Sequence, residues 1–125
     1  MRNKFQIIMK GWMVFTTVPN LAVGRKLAKE VLERRFAACI HLAPRGESHY
    51  WWKGKIEKAQ EVAMIFKTSK KALPLLLHVL KDIHPYEIPE ILAFRIDHGN
   101  VSYLKWLEEE TNPKSKSRKG WFLTF

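Results

Sequence analysis

Apolar and polar positions change their spacing several times along the chain, and each change marks an element. Met13–Val18 (MVFTTV) is short, apolar and β-branched, the pattern of a strand, and Pro19 ends it. Asn20 stands where a helix N-cap belongs. Val23, Leu27, Val31 and Leu32 then recur at helical spacing, with Arg25, Lys29 and Glu33 on the other side, so residues 21–35 predict an amphipathic helix. Ala37–Leu42 (AACIHL) predicts a second strand, broken by Pro44 and Gly46. Ser48–Lys53 (SHYWWK) favours extended backbone, Gly54 marks a turn, and Lys55–Thr68 is another extended run, densest at Val62–Phe66; together they predict a long hairpin. Ser69 is placed to cap a second helix through Leu73, Leu76, Leu77, Leu80 and Ile83. Pro74 is tolerable there only in the first turn, and Pro85 stops the helix. Ile91–Ile96 predicts a last strand, and Gly99 and Asn100 lead into a short helix over 101–110.

The predicted order is β-α-β-β-α-β followed by a helix. It implies an α+β, ferredoxin-like βαββαβ fold with an extra C-terminal helix: a four-stranded antiparallel sheet with two helices on one face. The other sheet face is then bare. Its strands are apolar on both sides of the alternation (Val62, Met64 and Phe66 against Ala63 and Ile65), and self-association is the common way to cover such a face.

With 125 residues, 46% of them hydrophobic, the chain suits one core-forming domain, expected over 12–111 between an N-terminal extension (1–11) and a basic C-terminal tail (112–125). The net charge of +10 raises the question of nucleic acid, but its placement answers it. Three basic residues lie in 1–10 and four in 111–125, with no acid in either; residues 11–110 hold 15 basic against 12 acidic residues. The body is nearly balanced and the ends are basic, so no nucleic-acid partner is expected. Cys39 is the single cysteine, which precludes an internal disulfide and fits a reducing compartment. No apolar run is long enough for a membrane span, so no membrane partner and a cytoplasmic location are expected. The Trp121–Phe125 end is aromatic and suited to docking, on a protein partner among other surfaces.

The densest chemistry lies in the loop after the second helix. His84, Tyr86, Glu87 and Glu90 fall within seven positions stiffened by Pro85 and Pro89. Imidazole suits copper, zinc or nickel and carboxylate suits harder cations, so a site for a divalent cation or a small polar ligand is one expectation. A helix-end loop that satisfies buried backbone is the other. Cys39, in a short apolar strand, is either a small core residue or a metal or redox group. Tyr50, Trp51 and Trp52 beside Lys53 and Lys55 suit cross-strand packing or a subunit interface better than base stacking. No Gly-rich phosphate loop, G-x-S-x-G, H-E-x-x-H or C-x-x-C is present, and no nucleophile–base pair is visible, so no catalytic residue and no enzymatic activity are expected.

Five blocks carry a resemblance: TTVPN (16–20), RRFAACIHLAPRGESHYWWKGKIE (34–57), EVAMIFKTS (61–69), HPYEIPEI (84–91) and GNVSYLKWLEEET (99–111). In order and spacing they closely resemble the CutA divalent-cation tolerance proteins over about residues 13–111. Met9 and Met13 both lie near where the likeness begins, and either is a candidate start. The resemblance implies a small cytoplasmic, PII-like homotrimer whose sheet faces pack inward. It implies binding of copper or another divalent cation, or of a small ligand, in clefts between subunits, in a role connected with the response to metal ions. It places Trp52, Lys67, Tyr86 and Glu87 around that cleft and makes His84 and Cys39 the metal candidates. The copper site described for some bacterial members falls on positions 16, 83 and 84; this chain has Thr16 and Ile83 there and keeps only His84. A PII-like signalling or scaffold trimer without metal of its own is the alternative.

Overall fold

The computed structural model describes residues 11–113. The N-terminal extension up to Lys10, the basic tail beyond Pro113, its aromatic end and the candidate start at Met9 lie outside the described residues. The elements run β1 (Gly11–Val18), α1 (Leu21–Glu33), β2 (Cys39–Trp52), β3 (Lys55–Ser69), α2 (Leu73–Ile83), β4 (Ile91–Ile96) and α3 (Val101–Glu110). The strands form one antiparallel sheet in the order β2-β3-β1-β4, the ferredoxin-like arrangement.

Period-2 alternation decides which residues meet the helices. Val14 and Val18 on β1, with Val62, Met64 and Phe66 on β3, are buried together with Leu27 and Val31 of α1 and Leu76, Val79 and Leu80 of α2. Each such side chain contributes about 1.5–3 kcal/mol of burial, so this single layer is the main stabilising element. Leu32, expected on the same stripe, is exposed instead, because the stripe narrows where α1 ends. The Asn20 Oδ1 accepts from the Val23 N–H at 2.9 Å, the expected cap. The helix stops at Glu33 rather than Arg35, whose φ of 60° turns the chain away.

Two expectations are corrected. Pro44 and Gly46 do not break the second strand. The pairing shifts register between Ala43 and Gly46, a bulge, and β2 continues to Trp52 opposite Lys55. An edge strand tolerates this, since the N–H that proline lacks would face a side with no partner strand among the described residues. Ser69 does not cap α2 directly. Its Oγ accepts from the Ala72 N–H at 3.3 Å, closing the turn before the helix, which then starts at Leu73 with Pro74 in its first turn.

Among the described residues the opposite sheet face is covered only at one end. There α3 lies against Gly11, where an added Cβ would sit 3.1 Å from both Ile96 and Leu107. The Thr111 and Ser69 hydroxyls share a hydrogen bond, their oxygens 2.7 Å apart, and tie the end of α3 to β3. Beyond α3, Phe15, Ile65, Leu92 and Phe94 stay on the open face, with Leu92 46% and Phe94 51% exposed. β1 pairs β3 only from Val62 onward, so the hairpin tip projects past the sheet as two strands carrying exposed Trp51 and Ile56. No helix among the described residues is long and apolar enough to cross a membrane.

Candidate functional site

The loop after α2 is built by its prolines. His84 is the C-cap of α2: its N–H still donates to the Leu80 carbonyl at 3.0 Å, but its own φ of −67° and ψ of 136° are extended. Pro85 requires that geometry of the residue before it. The turn aims the imidazole back at β1, where it is only 8% exposed. Its Nε2 lies 3.0 Å from the Thr17 carbonyl oxygen and 3.0 Å from Thr16 Oγ1. Its Nδ1 accepts from the Tyr86 N–H at 3.2 Å. Burial pushes the His84 pKa below its ordinary value, while the Thr17 carbonyl and Glu61 oppose the shift.

Tyr86 carries the connection outward. Its ring stands 5.0 Å from that of His84, tilted by 49°, and its hydroxyl donates to Glu61 Oε2 at 2.6 Å. The other oxygen of Glu61 accepts from Ser48 Oγ, also at 2.6 Å. Burial first, and the Glu61 carboxylate second, raise the Tyr86 pKa far above its usual range, so the phenol keeps its proton and remains a donor. A continuous hydrogen-bonded line thus runs from β1 through His84, Tyr86 and Glu61 to β2. It clamps the proline loop to the hairpin just beyond the bulge.

Of the residues singled out in the sequence, this line joins His84 and Tyr86. Glu87 and Glu90 lie in the same loop and are exposed. Cys39 and Lys67 are cross-strand partners on β2 and β3, level with Met13 on the open face, whereas Thr16 beside His84 points to the helix side. One chain therefore keeps Cys39 apart from His84. Trp52 is at the hairpin tip, with the Lys53 Nζ 5.6 Å from its ring centre. From there to Lys67 the strand runs about 40 Å at the usual rise per residue. A cleft holding both Trp52 and Lys67 thus needs residues from more than one copy. Among the described residues no group of three His, Cys, Asp or Glu side chains is placed to hold a metal ion.

Glu61, Thr16 and Ser48 complete the line and were not among the candidates read from the sequence. Glu61 did leave a signal: it is the one acidic residue between Glu57 and Asp82, immediately before the apolar run of β3. Thr16 is ordinary by residue type in a β-branched strand, and only the resemblance, which groups positions 16, 83 and 84, linked it to His84.

The matches with known proteins agree with this architecture. The model of the family described as CutA1 divalent ion tolerance protein matches residues 12–110. The human protein named Protein CutA is 42% identical over 103 residues, which are 82% of this chain and 58% of that protein; the chain therefore matches little more than half of that relative's length. The divalent-cation tolerance protein CutA of Thermus thermophilus is 42% identical over 99 residues, 79% of this chain and 96% of that one. The crystal structure of CutA1 from Oryza sativa superposes with a TM-score of 0.80 at 35% identity, covering 90% of this chain and all (100%) of that one.

Proposed function

The chain belongs to the CutA1 divalent ion tolerance family, and on that premise we propose that it serves in divalent-cation tolerance as a self-assembling, non-enzymatic binding protein. Three copies pack their open sheet faces together, and a divalent cation such as copper, or a small ligand, is held in the clefts between them. The observation that carries this reading is the open face itself. Phe94 and Leu92 stand half exposed beside Phe15 and Ile65, and the projecting hairpin bears Trp51 at 72% and Ile56 at 67% exposure. A two-stranded arm is marginal in water, and an apolar sheet face of this kind is normally covered. A neighbouring copy covers both.

Assembly also supplies what one chain separates. Trp52 at the tip of one hairpin, Lys67, and the loop bearing Tyr86 and Glu87 come together from neighbouring copies, giving the cleft an aromatic wall, a cation and a carboxylate. Calorimetric titration with Cu2+ tests this on the wild type and on Phe94→Asp. Binding by the assembled wild type that disappears in the dissociated variant is the expected outcome. Equal binding by both would place the ligand within one chain and contradict the proposal.

A further inference from the structure

We infer that His84 is a positioning residue that holds Tyr86 onto Glu61, and that it is not a metal ligand in this chain. Its partners determine the tautomer. The Thr17 carbonyl can only accept, so the Nε2 3.0 Å away carries the proton. The Tyr86 backbone N–H can only donate, so Nδ1, 3.2 Å away, is the unprotonated nitrogen. Thr16 Oγ1, 3.0 Å from the same Nε2, shares that proton.

A metal takes a lone pair from a neutral imidazole. The ring has one, on Nδ1, and the Tyr86 amide occupies it from inside a two-residue turn. Coordination through Nε2 would require the other tautomer. That would set a lone pair against the Thr17 carbonyl and an Nδ1 proton against the Tyr86 N–H. The neighbours offer nothing to offset the loss: Thr16 brings a hydroxyl and Ile83 a hydrocarbon, neither a ligand for copper or zinc. The residues at positions 16, 83 and 84 therefore do not fit a copper site.

The same contacts do fit a lever. The ring of His84 packs 5.0 Å from that of Tyr86, and the amide bond to Nδ1 sets the direction in which the tyrosine leaves the loop. The phenol then reaches Glu61, which Ser48 holds from the other side. His84 thus governs where Tyr86 and Glu61 stand without touching a ligand itself.

Nitrogen-15 correlation spectra of the labelled wild-type protein test the assignment, recorded with and without Zn2+. The expected pattern is a protonated Nε2 and an unprotonated Nδ1 for His84, unchanged as Zn2+ is added. A zinc-induced shift of either His84 nitrogen, of the size coordination produces, would overturn the inference. The ring signals of Tyr86 supply the second readout. They should move toward those of a free tyrosine in His84→Ala, as they should in Glu61→Gln. They should stay nearer the wild type in His84→Gln, whose amide retains a donor for Thr17. Tyr86 signals indifferent to His84→Ala would refute the positioning role. Should the variants not fold, the wild-type zinc titration still decides the ligand question.

Discussion

Acid should destabilise this protein through His84. The ring is buried and neutral in the fold, and its pKa lies below the ordinary value of about 6.5 because burial disfavours the charged form. The unfolded chain therefore takes up a proton near pH 6.5 that the folded chain refuses. Between that point and the lower folded pKa the unfolded state binds more protons, so stability falls as pH falls. The limiting slope is about 1.4 kcal/mol per pH unit for each chain. Full stability is present above the unfolded pKa, and the loss stops once the folded ring also protonates. His41, His49, His78 and His98 are all exposed, which makes His84 the histidine to isolate. Urea unfolding of the wild type and of His84→Gln from pH 7.5 to 5, at one fixed protein concentration, provides the assay. The wild-type free energy should drop more steeply below pH 6.5 than that of His84→Gln, and the difference between the two curves is the His84 contribution. Parallel curves across this window would refute the claim that the ring is buried neutral.

Further outcomes follow from the same structure. Phe94→Asp should dissociate the assembly: covering the exposed half of the ring (51%) buries about 100 Å², worth about 2.5 kcal/mol, before the cost of burying a carboxylate is added; sedimentation velocity reads this. Gly46→Ala should destabilise the hairpin by about 1–3 kcal/mol, because the added Cβ would sit 3.0 Å from the Glu61 backbone oxygen, which a paired strand cannot easily move; thermal melting checks the size. Tyr86→Phe should cost about 1.5–3 kcal/mol, the worth of a hydrogen bond to a charged acceptor, and the loss should shrink when Glu61 is already Gln; a double-mutant cycle by urea unfolding measures it.

Much of the fold was legible in the sequence because its rules are local. Asn20 caps α1 and Pro85 ends α2, each legible within a few residues, whereas Val62–Phe66 is apolar on both faces and the fold decides which face is core. The bulge at Ala43–Gly46 was not, because proline and glycine read as a break unless the strand is known to lie at an edge, and edge position is a property of the whole sheet. The loop at 84–90 announced its chemistry by composition, but not its use. The partners that settle what His84 does, Thr16 and Thr17, are 68 and 67 residues away, and Glu61 is 25 residues from Tyr86. Residue types in a segment say which bonds are available. Only the fold says which of them are taken, and in the His84 ring both nitrogens are.

Self-assembly through the open sheet face is the central claim, and the mass in solution tests it most directly. Size-exclusion chromatography with light scattering on the wild-type protein, carried down to submicromolar concentration, should give three times the chain mass of 14.7 kDa. A stable species of 14.7 kDa throughout that range would contradict the account.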